Sequence, residues 1–395
     1  MMDYMPGSYW LSLNVSNALH CGAAAGDVVE SCRGARQLLQ QGAPDSDEAV
    51  IEAWLRGWTG VGSRLLASAE AEAARGHHHS ATARRFQAAT HFMIAEWLTP
   101  FDHADKIGTF RSMRECFRRA VGDCGRGVEF VRIAYQEGVL DGLFVPALGT
   151  GGPAPAVIHF NGTHSALEWP YLTGFADRLA CRGIASLLFD HPGTGSARYC
   201  HGLPLRPDSE IPAAAAFDYL GRRGDVDMTR VGVAGGSMGG YHAPRAAAFD
   251  SRISLCLCWG ALYELPSWLL DYARGPDDSA SAPIHDPGMT QALSRIFGVG
   301  VGPDLAAEMG RYTLSGVAER VTCPLYVAHG AEDRQVPLAQ AQRLVGEAIN
   351  ATRRRLFVCN DDRGAQHCNL DNLPPALDLL SDCAADEFQS APSGD

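Results

Sequence analysis

Residues 231–240 of this chain read VGVAGGSMGG. An apolar run typical of a strand leads into glycines around Ser237, and a segment compatible with a helix follows. The spacing G-x-S-x-G is typical of a serine at a strained turn between strand and helix, because the flanking glycines let the two elements approach without a clash of Cβ atoms. Such a turn exposes the hydroxyl and directs backbone N–H groups of the next helix toward developing negative charge. We therefore predict that Ser237 is a nucleophile and that Met238 supplies an oxyanion-hole N–H.

Two later segments supply an acid and a base. Residues 324–330 (PLYVAHG) predict a short buried strand, and the polar turn after it contains Asp333. Residues 355–358 predict the next strand, and the turn after that one leads to His367. His367 would take the serine proton, while Asp333 would fix the tautomer of the imidazole and stabilise the imidazolium. The chain order serine, aspartate, histidine is that of the α/β-hydrolases.

Other residues compete for these two roles. Glu332, Asp361 and Asp362 are alternative acids. Asp333 is preferred because it precedes a Val-Pro pair that would begin the next helix. His329 is the rival base, but it precedes the acid along the chain, so a structural role at the strand end is expected.

A second oxyanion donor is expected in the loop after the third strand. Residues 156–160 (AVIHF) predict that strand, and residues 161–164 (NGTH) form the loop. Gly162 permits a tight backbone, and Thr163 would offer its N–H. The Gly-rich run 190–196 (DHPGTGS) lacks both the Lys-Ser/Thr ending of a P-loop and the pattern G-x-G-x-x-G, so it is predicted to be a structural loop beside the site.

The composition limits the classes of partner. The 395-residue chain is 46% hydrophobic and 20% charged, as in an ordinary globular protein, and its net charge of -12 opposes binding to nucleic acid or anionic membranes. Its 12 cysteines form no C-x-x-C pair and are predicted to be reduced thiols. No lysine or arginine precedes Arg33 and no apolar stretch is long enough to span a bilayer, so a cytoplasmic location is predicted. We expect a small-molecule substrate, with neither a cofactor nor a metal.

The periodicity of apolar residues changes near residue 125. Before this point they recur at helical spacing, as in Trp54, Leu55 and Trp58, which predicts an N-terminal helical domain over residues 1–125.

After this point strands and helices alternate. An antiparallel hairpin is predicted to feed a mostly parallel sheet with helices on both faces, over residues 126–385. The long connection at about 263–321 predicts a lid insertion, and residues 386–395 are expected to form a flexible tail.

Taken together, these motifs resemble those of α/β-hydrolases with an N-terminal helical cap domain. The family includes 2,6-dihydroxypseudooxynicotine hydrolase, esterase-like fermentation/respiration-switch proteins and fungal hydrolases that shorten aromatic polyketides. The resemblance covers nearly the whole chain and implies the α/β-hydrolase fold and a homodimer. It is carried by 225–233 (DVDMTRVGV), 235–241 (GGSMGGY), 243–247 (APRAA), His329-Gly330 with Asp333 and Val336-Pro337, and Gly364 with His367-Cys368.

What the resemblance implies is hydrolysis, extending to cleavage of a carbon–carbon bond beside a ketone on an aromatic or polyketide substrate. A carbanion leaving group needs a positioned proton donor. Residues 161–165 (NGTHS) depart from the aromatic-rich acidic loop of that family, which leaves the substrate class open. The candidates for substrate contact or assistance are Glu168, Glu264, Asp271, His164 and Tyr241.

Other functions stay open on the sequence alone. The same three residues serve carboxylesterases and amidases, and they also serve acyl transfer or cyclisation, in which an internal hydroxyl replaces water. A dehydratase or isomerase would use His367 without covalent attack. A non-catalytic binding protein of this fold is the alternative from another class.

Overall fold

The structure is a computed structural model that describes residues 3–136, 138–274 and 289–390. The chain forms two compact units. They consist of Met1–Val128 with Ala282–Ala292, and of Glu129–Ser281 with Leu293–Asp395.

The N-terminal part of the first unit is helical, as the sequence predicts. Its helices are α1 (Tyr9–His20), α2 (Ala25–Gln40), α3 (Glu48–Ala74), α4 (His78–Leu98) and α5 (Lys106–Asp123). Asp47 caps α3, because its carboxylate accepts the N–H of Ala49 at 2.8 Å. Trp54 and Trp58 are buried on α3, with ring centroids 5.1 Å apart. The aromatic stripe of the sequence therefore belongs to the core of this unit.

A buried ion pair links α4 to the start of α5. The ammonium of Lys106 lies 2.9 Å from the carboxylate of Glu96, and it donates to the carbonyls of Glu96 at 2.6 Å and Thr99 at 2.8 Å. Both side chains are almost fully buried. A buried charge is tolerated only when it is paired and hydrogen-bonded, so these contacts are needed to keep Lys106 inside the unit.

Replacing Lys106 with methionine is therefore expected to destabilise the protein by about 3–5 kcal/mol, because Glu96 loses its ammonium partner in the interior. Denaturant unfolding measures the change. Arg56→Met is the matched control, since Arg56 contacts Glu52 at 3.9 Å on the surface and should cost less than about 1 kcal/mol. Equal losses in the two variants would contradict this assignment.

The second unit contains a mostly parallel sheet, as predicted. Within the described residues the strand order is β1-β2-β4-β3-β5-β6-β7-β8. The β1–β2 and β2–β4 pairs are antiparallel, and the other pairs are parallel. The strands are β1 (Glu129–Tyr135), β2 (Gly138–Val145), β3 (Ala154–Phe160), β4 (Ala185–Phe189), β5 (Val226–Gly236), β6 (Leu255–Trp259), β7 (Leu325–Gly330) and β8 (Arg354–Cys359).

The central strands owe their continuous apolar sequences to burial on both faces. Every residue of β3, β4, β6 and β7 is buried, as expected where helices cover both sides of a parallel sheet. The helices of this part of the chain are α6 (Glu168–Leu172), α7 (Phe175–Ala180), α8 (Gly195–Tyr199), α9 (Glu210–Leu220), α10 (Gly239–Phe249), α11 (Ser267–Arg274), α12 (Met289–Phe297), α13 (Pro303–Met309), α14 (Leu338–Glu347) and α15 (Leu373–Ser390).

The long connection between β6 and β7 contains helices α11, α12 and α13. Part of the predicted lid insertion, residues 275–288, lies outside the described residues. Helix α15 continues to Ser390, so residues 386–390 are helical rather than part of a tail, and residues 391–395 lie outside the described residues. Of the helices in the described ranges, none combines the length and the hydropathy that a membrane span requires.

Candidate active site

Ser237 lies at the turn between β5 and α10. Its backbone has φ 56°, a left-handed conformation that is unfavourable for a residue with a Cβ atom. The turn is anchored to the neighbouring strand, because the N–H of Ser237 donates to the carbonyl of Trp259 at the end of β6, at 3.1 Å. The strained serine predicted from the sequence spacing is therefore present at the carboxyl end of a central strand.

Close backbone approach explains the glycines around this turn. A Cβ atom on Gly235 would lie 2.1 Å from the carbonyl oxygen of Gly239, and one on Gly239 would lie 2.4 Å from the carbonyl oxygen of Phe160. Both contacts are with backbone and cannot be relieved by a side-chain rotation. Strand β5, helix α10 and the end of β3 thus converge within a space that admits only glycine at these positions.

Ser237, His367 and Asp333 form a continuous chain of hydrogen bonds. The Nε2 atom of His367 lies 2.9 Å from the Oγ atom of Ser237, and its Nδ1 atom lies 2.8 Å from Oδ2 of Asp333. Because a carboxylate can only accept, Nδ1 carries the proton and Nε2 presents its lone pair to the serine hydroxyl. The imidazole is thus in the tautomer that can accept the serine proton.

The carboxylate of Asp333 is fixed on both sides. Its Oδ1 atom accepts the backbone N–H groups of Gln335 at 2.8 Å and Val336 at 2.9 Å, which leaves Oδ2 for His367. Burial works to raise the pKa of Asp333, but the imidazole of His367 and these hydrogen bonds outweigh it and hold the pKa below its usual value. The acid is therefore ionised and oriented.

Burial alone would lower the pKa of His367. The charge of Asp333, the electrostatic contribution of Cys368 and the hydrogen bonds of the imidazole outweigh that effect and hold the pKa well above the ordinary histidine value. This environment favours the imidazolium that forms when His367 takes a proton from Ser237.

The rival residues lie elsewhere in the local network. Glu332 accepts a hydrogen bond from Gln366 at 3.1 Å, while Asp361 and Asp362 lie exposed in the turn after β8. His329 is fully buried, and its Nε2 atom lies 2.8 Å from the carbonyl oxygen of Val336. The Nε2 atom of His329 also lies 3.6 Å from Oδ2 of Asp333, the oxygen that His367 contacts. His329 therefore lies beside the acid near the end of β7, the place that the sequence gives it.

Sequence reasoning missed the residues that hold the histidine loop. Asp371 accepts the N–H groups of Ala365 and Gln366, each at 2.9 Å. Cys368 has φ 51° and its Sγ atom lies 3.6 Å from Nε2 of His367. A carboxylate four residues beyond the histidine gives no recognisable pattern, so only the fold shows that Asp371 shapes this loop.

Three backbone N–H groups are available for an oxyanion. A Cβ atom built on Gly162 would lie 3.5 Å from the Cβ atom of Ser237, so the loop after β3 faces the serine. Within the described residues, the N–H groups of Gly162, Thr163 and Met238 donate to no protein acceptor. They are the groups for which the sequence predicts an oxyanion role, and that role stays a prediction.

The five candidate assisting residues are in different surroundings. Tyr241 is fully buried in α10, where its hydroxyl donates to the carbonyl of Pro207 at 2.9 Å and burial raises its pKa to about 12. Glu264 is exposed and contacts Arg343 at 3.5 Å. Tyr241 thus packs in the interior, where a substrate would not reach it, and Glu264 lies on the surface, where substrate contact stays a prediction.

The other three remain compatible with a site beside Ser237. Glu168 is buried at the start of α6, shortly after the loop 161–164 that follows β3. His164 is half-buried in that loop, and Asp271 is half-buried on α11.

Known proteins resemble this chain over most of its length. The sequence profile of the alpha/beta hydrolase family matches residues 143–389. The alpha/beta hydrolase xenA of Xenoacremonium sinensis is 26% identical, over 91% of this chain and 92% of that protein. The 2,6-dihydropseudooxynicotine hydrolase of Paenarthrobacter nicotinovorans is 27% identical, over 86% of this chain and 85% of that protein.

A solved structure has a similar fold. The crystal structure of 2,6-dihydroxy-pseudo-oxynicotine hydrolase superposes with a TM-score of 0.74 at 21% identity. The match covers 94% of this chain and 95% of that chain. At this identity the superposition speaks for the fold alone, and the fold it supports includes the helical N-terminal part as well as the sheet.

Proposed function

The chain belongs to the alpha/beta hydrolase family, and from this premise we propose that it is a serine hydrolase in which Ser237, His367 and Asp333 form the catalytic triad. In this proposal Ser237 is the nucleophile, His367 the general base and acid, and Asp333 the group that orients the imidazole. Gly162, Thr163 and Met238 supply the oxyanion N–H groups.

The observation that carries the proposal is the unbroken chain of hydrogen bonds from Asp333 through His367 to Ser237. Asp333 and His367 lie 34 positions apart in the sequence, and Ser237 and His367 lie 130 positions apart. A ligand-binding protein has no need of a strained serine paired with an imidazole that a buried carboxylate orients. A catalytic role therefore explains the arrangement better than a binding role does.

The first half of the proposed reaction forms an acyl-enzyme. His367 takes the proton from Ser237 as Oγ attacks a substrate carbonyl, and the oxygen that becomes negative is met by the oxyanion N–H groups. When the bond to the leaving group breaks, that group departs with the electron pair and takes the proton from His367. For a carbon leaving group, a neighbouring carbonyl or aromatic ring must hold the electron pair until the proton arrives.

The second half releases the acid. His367 takes a proton from water, and the resulting hydroxide attacks the acyl carbonyl. Collapse of this intermediate breaks the bond to Ser237 Oγ, which recovers its proton from His367. The net reaction adds one water molecule across the broken bond and gives a carboxylic acid.

We propose a small aromatic or polyketide natural product as the substrate, with cleavage of a carbon–carbon bond beside a ketone. This proposal is supported by the resemblance described in the sequence analysis and by the relative named as 2,6-dihydropseudooxynicotine hydrolase, which this chain matches over 85% of its length. Carboxylester or amide hydrolysis and acyl transfer by the same residues are the competing reactions. They differ from the first proposal in the leaving group or in the acceptor.

Two probe substrates in ¹⁸O-labelled water test the proposal. Benzoylacetone has two carbonyl groups joined through one methylene, so each candidate carbon–carbon bond lies beside a ketone, and p-nitrophenyl butyrate carries an activated ester. We expect cleavage of benzoylacetone to a ketone and a carboxylic acid that contains one labelled oxygen from water, because hydroxide attacks the acyl-enzyme. Mass spectrometry of the acid measures the label.

The alternative outcomes separate the competing reactions. Turnover of the ester alone favours a carboxylesterase. An acyl product without labelled oxygen would exclude attack of water on the acyl-enzyme and favour acyl transfer to another acceptor. Absence of covalent labelling of Ser237 by a fluorophosphonate would remove the triad assignment altogether.

A further inference from the structure

The oxyanion loop, defined here as residues 161–167, is held from behind by the turn that follows β4. That turn is the Gly-rich run 190–196, which has no role in the chemistry proposed above. Asp190 accepts the N–H of Leu167 at 2.8 Å, at the far end of the loop. Arg198, near the end of α8, donates to the carbonyl of Thr163 at 3.0 Å. Side chains from one short segment therefore reach both the middle and the end of the loop.

His191 contacts the beginning of the loop. Its Nε2 atom lies 3.2 Å from the backbone nitrogen of Asn161 and 3.3 Å from the carbonyl oxygen of the same residue, and its Nδ1 atom lies 3.1 Å from the carbonyl oxygen of Pro192. A carbonyl can only accept, so Nδ1 carries the proton and donates to Pro192. Nε2 then has a lone pair, which accepts the N–H of Asn161. The tautomer is thus set by a residue on the same turn.

This contact decides which N–H groups of the loop stay available. Gly162 follows Asn161 directly, and the N–H groups of Gly162 and Thr163 donate to no acceptor within the described part of the chain. Asn161 differs from them because its N–H is taken by His191. The carbonyl oxygen of Asn161 lies 3.3 Å from Nε2 of His191 and belongs to the same planar peptide unit as the N–H of Gly162, so the imidazole contacts that unit as well.

Apolar packing keeps His191 in this role. It is buried, and its ring lies 5.3 Å from that of Phe160, 5.7 Å from that of Phe189 and 4.8 Å from that of His242. Burial lowers the pKa of His191 to about 4. The imidazole is therefore neutral near pH 7, as an acceptor of an N–H must be.

We propose that His191 is a positioning residue for the oxyanion hole: by accepting the N–H of Asn161 it holds the oxyanion loop so that the N–H groups of Gly162 and Thr163 face the oxygen of the transition state. The inference rests on the proposed function, because an oxyanion hole matters only if Ser237 attacks a carbonyl. His191 touches no reacting atom and acts only through the loop.

The consequence concerns the rate of the chemical step more than substrate binding. Oxyanion donors act most strongly on the charge that develops in the transition state, so a displaced loop lowers kcat and changes KM little. Removing one oxyanion donor outright costs about 10²–10³ in kcat, and displacing the loop should cost less, roughly 10- to 100-fold.

The experiment compares three variants of the full chain. His191→Leu removes the acceptor, and His191→Gln keeps an acceptor oxygen at the position of Nε2. His242→Leu is the matched control: it makes the same change on a neighbouring buried ring whose nitrogens contact no protein acceptor or donor among the described residues. The readouts are kcat and KM with p-nitrophenyl butyrate, the rate of labelling by a fluorophosphonate, and the denaturant midpoint.

We expect His191→Leu to lower kcat and the labelling rate by roughly 10- to 100-fold with KM within about three-fold of wild type. His191→Gln should recover most of the loss, and His242→Leu should keep kcat within about two-fold. A merely structural role would lower the midpoints of His191→Leu and His242→Leu alike without separating kcat from KM, and that result would overturn the proposal. Wild-type kcat in His191→Leu would overturn it as well.

A measurement on the wild-type protein covers the case in which His191→Leu does not fold. In ¹⁵N-labelled protein, the imidazole signals of His191 are assigned by their loss in His191→Gln. We expect a proton on Nδ1 and none on Nε2 at pH 7, and a proton on Nε2 would overturn the proposal. Wild type that resists the fluorophosphonate would overturn the proposed function and this inference together, whereas equal labelling of wild type and a folded His191→Leu would overturn this inference alone.

Discussion

Ser237→Ala is expected to lower kcat by on the order of 10⁶-fold, because it removes the nucleophile and the acyl-enzyme can no longer form. The Oγ atom it deletes is the group that faces Nε2 of His367 at 2.9 Å. Alanine keeps the Cβ atom, so the strain at φ 56° is the same in both proteins and the unfolding free energy should change by less than about 1 kcal/mol. Steady-state kinetics and denaturant unfolding of the same preparation measure the two effects.

Ser254→Ala is the control for this substitution. Ser254 also lies in the second unit, and its hydroxyl donates to the carbonyl of Val231 at 3.0 Å, with no part in the triad. It should retain wild-type turnover and remain open to labelling by a fluorophosphonate. Activity retained by Ser237→Ala would instead favour a dehydratase or isomerase that uses His367 without covalent attack.

Asp333→Asn is expected to lower kcat by about 10⁴-fold, through the wrong tautomer of the imidazole. The amide has one orientation available, since the two backbone N–H groups of Gln335 and Val336 require its oxygen at the position of Oδ1. The NH₂ group then faces His367 and forces the proton onto Nε2. That nitrogen can no longer accept the proton of Ser237.

Asp361→Asn is the matched control, because Asp361 lies exposed in the turn after β8. It should leave kcat within about two-fold of wild type. Comparable losses in the two variants would show that Asp333 has no special part in catalysis.

The Asp333–His367 pair also predicts how stability depends on pH. The folded-state pKa of Asp333 is lowered, so its contribution is present above the unfolded carboxyl pKa and is lost as the pH falls through the folded value. The folded-state pKa of His367 is raised, so its contribution is complete below the unfolded histidine pKa and is lost as the pH rises through the folded value. Wild type should therefore exceed Asp333→Asn in unfolding free energy most between about pH 4 and 6.5.

Much of the fold could be predicted because its signals are local. A strand that is buried on both faces shows itself as a short apolar run, and the run 156–160 (AVIHF) lies within strand β3, Ala154–Phe160, as that rule predicts. The strained turn at Ser237 could be predicted from the glycines around it. They are needed because neighbouring backbone atoms occupy the space that a Cβ atom would take. The carboxyl ends of parallel strands meet at one edge of a sheet, so residues that follow β5, β7 and β8 were expected to lie together.

Side-chain burial was not predictable from the motifs. Tyr241 was a candidate for substrate contact or assistance, but helix α10 carries its side chain into the core. Glu264 was a candidate as a carboxylic acid in the lid region, and its side chain contacts Arg343 at the surface. The direction of neither side chain can be predicted from sequence spacing, because it depends on which distant residues pack against that side chain.

The sequence by itself determined the class of sheet, the identity of the strained serine and the order in which acid and base follow it. Each of these is read from a local motif, a strand or turn whose residues lie within a few positions of one another. Only the tertiary structure decided that Asp333 and not its neighbours reaches His367, that Asp371 and His191 hold the two loops of the site, and that Tyr241 faces inward. Hydrogen bonds are directional and fade within fractions of an ångström. Their partners are therefore fixed by how distant segments pack, which no local pattern records.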